Sequence, residues 1–189
     1  MLTDDKINLL AKVARSARKA APDAAPPSQD RSILMLAAAS YGSRPTDEST
    51  VPTGFDPHAA ALFETIVEAA YLVASADGVV DEEERSTFER IVHAACGGSV
   101  PQDHVADLVA DLEDQLAEDG LERRVTRLAE GITRQEHARE VLRIAALIAQ
   151  VSEDVSEVER GVLDKIAAAC KLEPAEVESA LGDVRASLA

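Results

Sequence analysis

An all-α fold is what this 189-residue chain predicts, and three observations predict it. Apolar residues return at helical spacing (i, i+3, i+4, i+7) in segment after segment. No segment alternates with the period of two that a half-buried strand needs. The packing residues are Ala, Leu, Val and Ile, because aromatics make up only 3% and Trp is absent. Small aliphatic side chains suit closely packed helices, and a 46% hydrophobic content is enough to fill the core of one ordinary domain.

The elements follow in order. Leu2, Ile7, Leu10, Ala11 and Ala14 recur near helical spacing with basic residues between them, which predicts a first helix over roughly residues 3–20. The stretch APDAAPPSQD breaks it with three prolines and reads as an extended linker. DRSILMLAAAS can form a short helix capped by Asp30, and YGSRPTDESTVPTGFDP is loop again. Residues 1–55 therefore read as an N-terminal helical arm and Pro-rich linker, mobile or wrapped around a main body over residues 56–189.

The body opens at Asp56-Pro57, with Asp as N-cap and Pro in the first helical position. Leu62, Ile66, Ala69 and Val73 trace one face, and after an acidic turn Phe88, Ile91, Val92 and Ala95 trace another. Val105 to Leu116 repeat the pattern up to Asp119-Gly120, and Val125 and Leu128 sit on a shorter helix. Thr133 with Glu136, and Ser156 with Glu159, have capping-box spacing ahead of two further apolar faces. Glu173-Pro174 opens a last helix carrying Val177, Leu181 and Val184. The body is thus a bundle of about seven helices.

Charge narrows the function classes. The net charge is −16, and residues 1–56 are balanced with seven acids and seven bases, so the whole excess lies in the body. Such a field repels nucleic acid and anionic lipid and favours cations or a basic protein partner, although it also serves solubility. No apolar run approaches the roughly 20 residues of a membrane span. The N-terminus makes a poor signal peptide, and two cysteines, Cys96 and Cys170, make no disulfide framework, so a cytoplasmic protein with reduced thiols is expected.

A shift of 75 residues lays the chain on itself. AAYLVASADGVVDEEERSTFERI, residues 69–91, falls on IAALIAQVSEDVSEVERGVLDKI, residues 144–166. Asp81 meets Ser156, Glu84-Arg85 meets Glu159-Arg160, and Phe88 meets Leu163. Both copies read as helix, acidic turn, capped helix, a degenerate two-fold repeat that would set the two turns in related positions.

The acidic turn, Asp77 with Asp81 to Glu84, supports two readings. In the first, Gly78 frees the backbone to leave one helix, Asp81 caps the next, and Glu82 to Glu84 face the positive end of its macrodipole, each contributing about 0.3–1 kcal/mol. In the second, Asp77, Asp81 and Glu84 also share a hard divalent cation, Ca²⁺ or Mg²⁺, through oxygen ligands. The spacing is not that of an EF-hand loop. His58, His93, His104 and His137 are scattered; Glu89 and His93 share a helix face, but neither HExxH nor a pair of Glu-x-x-His motifs is present. Cys96 and Cys170 fit small buried hydrophobes, with redox sensing as the alternative. No Gly-rich phosphate loop or nucleophile elbow points to catalysis.

The run Ala74-Ser75-Ala76-Asp77-Gly78-Val79-Val80-Asp81, followed by Glu84, resembles the signature of the TerB-like tellurite-resistance family, also found as the N-terminal domain of DjlA-type co-chaperones. The resemblance covers residues 57–189. The second copy departs from it, with Ser152 and Glu153 where Asp-Gly would stand. The resemblance implies an all-α bundle, a link to bacterial tellurite or other stress resistance, no established reaction, and acidic residues suspected of binding divalent metal. The expected function is a non-enzymatic binding module presenting an acidic surface to a protein partner. The rivals are a metal-dependent enzyme using the same carboxylates and a purely structural adaptor.

Overall fold

The computed structural model describes residues 2–16, 32–45, 54–78, 80–151 and 155–188. These are helical throughout, with no strand among them. Two helices precede the body, α1 (Asp4–Arg15) and α2 (Ile33–Gly42). Seven form it: α3 (Pro57–Ala74), α4 (Glu82–Ala95), α5 (Gln102–Asp119), α6 (Leu121–Glu130), α7 (Gln135–Ala149), α8 (Glu157–Ala169) and α9 (Ala175–Leu188).

The centre is the pair α3 and α7, which pack on each other. Both are covered on nearly every side: α3 is buried continuously from Ile66 to Val73 and α7 from Val141 to Ala149. Their Ala-rich faces explain the close approach, since small side chains let backbones come together. Around this pair the repeat is visible as packing. Helix α3 is followed by α4 and α5, both against it, as α7 is followed by α8 and α9. Ala74 and Ala149, 75 residues apart, end the central helices, and Asp81 and Ser156 cap the next ones.

Helices α1 and α2 belong to the same core. Leu10, Ala11 and Ala14 of α1 and Ala37 and Ala38 of α2 are at most 2% exposed. Helix α1 lies on α4 and α9, and α2 lies on α3, where Tyr41 stacks on Phe63 with ring centroids 4.9 Å apart. Helix α1 ends at Arg15, short of residue 20, because Ser16 turns extended while its N–H closes on the Lys12 and Val13 carbonyls. Ser32, not Asp30, caps α2, accepting from Met35 N–H at 3.2 Å. Asp30 and the proline stretch lie outside the described residues.

Two buried ionic groups tie other helices to the central pair. On α7, Arg143 donates to Glu140 through Nε and Nη2 at 2.8 and 3.0 Å, and to the Val13 and Ala14 carbonyls at 3.0 and 2.8 Å. Glu140 in turn accepts from Leu34 N–H at 3.4 Å. One Arg–Glu pair thus closes the C-terminus of α1 and the N-terminus of α2. On α3, Glu68 accepts from Arg124 at 2.7 Å, and Arg124 also reaches Asp119 at 3.2 Å, pinning the α5–α6 joint. Burial pushes the Glu68 carboxyl up, and the Arg124 hydrogen bond only partly offsets this. Desolvation pulls Arg124 down, but Glu68 and Asp119 outweigh it and leave the guanidinium raised.

The Thr133–Glu136 box is not formed. Helix α7 starts at Gln135 with Arg134 in the cap position, one residue later than the box needs, so Glu136 sits too early and pairs with Arg134 at 3.3 Å instead.

Candidate functional site: an acid-rimmed cleft between two capped turns

The turns of the two repeats share one opening. Leaving α3, the chain makes a turn at Ser75 to Asp77, and Gly78 takes a φ of 144°, a conformation that side-chain-bearing residues rarely adopt. Asp81 then starts α4 with a complete capping box: Glu84 N–H donates to Asp81 Oδ1 and Asp81 N–H to Glu84 Oε2, both at 2.9 Å. In the second copy Glu159 N–H donates to Ser156 Oγ at 3.2 Å, and Ser156 N–H and Oγ–H both donate to Glu159 Oε2 at 2.8 Å. The acids of both turns satisfy helix-end N–H groups that would otherwise lack partners. Asp81→Ala is expected to cost about 1 kcal/mol in urea denaturation, and a change within experimental error would mean that the box does not hold in solution.

Between the boxes lies a cleft of about 640 Å³. Its floor is apolar: Phe88 and Ile91 from α4, Ile148 from the end of α7, Val151 just after it, and Val80 from the first turn. Thr87 lies midway along the α4 side, and Leu2, just before α1, closes one margin. The rim carries Asp77, Asp81, Glu83 and Glu84 from one copy and Glu159 from the other. No Lys, Arg, His or Cys lines it among the described residues. Arg85 is turned to Glu89 and Glu113, while Lys6 sits at the cleft margin and donates to the carbonyl of the lining residue Val151 at 2.6 Å.

Asp77, Asp81 and Glu84 stand on one cleft. Their carboxylate chemistry suits a hard cation. One oxygen each of Asp81 and Glu84 is engaged by the box, and among the described residues no three His, Cys, Asp or Glu side chains are gathered closely enough to hold a metal ion. Asp81 and Glu84 have the geometry of helix caps. Residues 152–154 of the second turn lie outside the described part.

The other candidates are engaged structurally. Glu89 accepts from Arg85 at 3.1 Å, and His93 Nδ1 contacts the Val100 carbonyl at 3.2 Å. Burial lowers the affinity of His137 for its proton. Burial also pushes the Cys96 thiol up to about 12 and Cys170 to about 11, the behaviour of small core residues rather than of reactive thiolates.

These features define an all-helical protein built on two capped turn–helix units that meet at an acid-rimmed cleft. The chain belongs to the TerB family: the family model described as "Tellurite resistance protein TerB" matches residues 64–181, well over half of its length. That stretch holds every residue of the cleft except Leu2. Comparison with curated proteins and with solved structures returned no significant match. No described helix is long and apolar enough to cross a membrane.

Proposed function

We propose that this TerB-family chain is a non-enzymatic binding module of a bacterial, cytoplasmic, tellurite-resistance-type stress response, and that it offers the cleft to a basic protein partner. The observation that carries this reading is the convergence of both repeat turns on one open cleft, rimmed by acids and lined by no base among the described residues. Its sign favours a cationic partner and opposes a phosphate backbone. The lining chemistry speaks against turnover. Among the described residues it includes no imidazole or thiol, and the Ser156 hydroxyl is engaged by its cap. A metal-dependent enzyme would need the carboxylates gathered around an ion with an open position.

The test is a pull-down from the native cell with wild-type protein and Asp77→Lys, each with and without chelator. Proteins retained by the wild type and lost with Asp77→Lys are expected. Retention unaffected by that charge reversal sinks the cleft as the binding surface. Cation dependence is the separable part of the proposal. With Ca²⁺ or Mg²⁺ on Asp77, Asp81 and Glu84, melting should rise beyond that in NaCl of matched ionic strength, by about 2.7 kcal/mol at a hundredfold excess over Kd. Asp77→Asn, which lies before the cap, should abolish the rise and leave metal-free stability unchanged. Equal melting in chelator, both ions and NaCl leaves the acids as caps alone.

A further inference from the structure

We infer that the occupant of the cleft is an amphipathic α-helix of the partner, with apolar anchors on one face and Lys or Arg flanking them; this rests on the reading of the cleft as a partner site. The cleft asks for two chemistries at once. Val80, Phe88, Ile148 and Val151 form an apolar floor that a purely hydrophilic basic tail would leave unfilled. Asp77, Asp81 and Glu84 stand above it, and among the described residues none of the three is ion-paired to a Lys or Arg.

An apolar ligand without charge would leave that rim uncompensated, and a small cation would leave the floor wet. A basic amphipathic helix satisfies both, with anchors at i, i+3, i+4 and i+7 seated in the groove. The volume of about 640 Å³ takes a few such side chains, not a whole domain.

The chain itself supplies a precedent. Helix α1 is amphipathic, with Ile7, Leu10 and Ala14 buried and Lys12 and Arg15 in its last turn. It packs along α4, the helix that forms one wall of the cleft. Lys6 reaches the Val151 carbonyl at the cleft margin, and Leu2 enters the lining. The body therefore already seats one amphipathic helix on α4 by its apolar face, with Arg90 of α4 paired to Asp4 of α1, and α4 also walls the cleft.

The experiment uses the full chain and three fluorescent peptides of about 15 residues, a length at which helices are marginal alone and form on docking. The first has Leu at helical spacing with Lys between. The second has the same composition scrambled so that no face forms. The third keeps the face and replaces Lys by Glu. Anisotropy titrations are expected to show binding by the first and at least about tenfold weaker binding by the other two, a difference of about 1.4 kcal/mol. Amide NMR shifts should centre on Val80, Thr87 and Val151.

Two variants with checked melting curves sharpen the test. Asp77→Lys reverses a rim charge, and Thr87→Trp fills the cleft without changing charge. Each should weaken the first peptide by about tenfold. Equal binding of the scrambled peptide means that charge alone recruits, which overturns the helix occupant and leaves the acidic-surface reading standing. Binding unaffected by Thr87→Trp places the peptide elsewhere and overturns the inference, as does the absence of binding by the first peptide. A native-cell partner that is still lost with Asp77→Lys would then show that the broader reading survives.

Discussion

Arg143→Met is expected to lower the stability of the whole fold by about 3–5 kcal/mol, because removing one member of a buried ion pair strands the other. Arg143 and Glu140 are 6% and 3% exposed. Without the guanidinium, Glu140 keeps, among the described residues, the long bond from Leu34 N–H, and the Ala14 carbonyl at the end of α1 loses its side-chain donor, while the Val13 carbonyl keeps the Ser16 N–H and hydroxyl. The loss should be local as well as global. Amide hydrogen exchange along α1 should speed up more than along α3, since Arg143 bonds directly to the carbonyls at the C-terminal end of α1. The double variant Arg143→Met with Glu140→Leu should recover part of the loss, because a buried pair can be replaced by apolar groups at little cost. Recovery stays incomplete because the Ala14 carbonyl still lacks the Arg143 donor. Urea denaturation measures both. A single-variant loss below about 1 kcal/mol, the worth of a surface pair, would mean that the clamp is not closed in solution. The consequence reaches the cleft, because α1 carries Leu2 into its margin and Lys6 to Val151.

Local features were legible in the sequence, and long-range partners were not. Asp56-Pro57, the Asp81–Glu84 box and the Ser156–Glu159 box depend on residues at most three apart, and the structure forms all three. The apolar faces of α4, α8 and α9 are buried as their spacing requires. Thr133 and Glu136 have the same spacing as a working box, yet the helix starts one residue late. The motif permits a cap, and the packing of α7 decides where the helix begins.

Nothing in the local sequence marks Glu140 and Arg143 as buried. Their partners on α1 lie 129 and 130 residues away from Arg143, beyond any local pattern. The balanced charge and the prolines of the first 55 residues suggested an arm, but neither property says what the apolar faces of α1 and α2 pack against. The repeat indicated that the two turns occupy related positions. That they face a single cleft follows from the packing of α3 on α7, which brings the ends of both central helices together.

Gly42→Ala is expected to destabilise the protein by about 1–3 kcal/mol or more, although the same change usually favours a helix. Gly42 ends α2 where it passes the loop joining α4 to α5. A Cβ there would lie 1.8 Å from the Ser99 carbonyl oxygen and 2.9 Å from its carbon. Both are backbone atoms, so no side chain can swing away, and either α2 or the loop must move. Helix propensity contributes at most about 1 kcal/mol in the opposite direction, too little to offset such an overlap. Gly161 and Gly182 provide the contrast. Both lie inside helices, α8 and α9, and a Cβ at either meets nothing within 4 Å. Gly161→Ala and Gly182→Ala should each raise stability by about 0.4–1 kcal/mol by restricting the unfolded chain. Melting curves of the three variants against wild type should therefore move in opposite directions. If Gly42→Ala melts at or above the wild-type temperature, α2 does not make its close approach to Ser99, and the seating of α2 on the body must be redrawn.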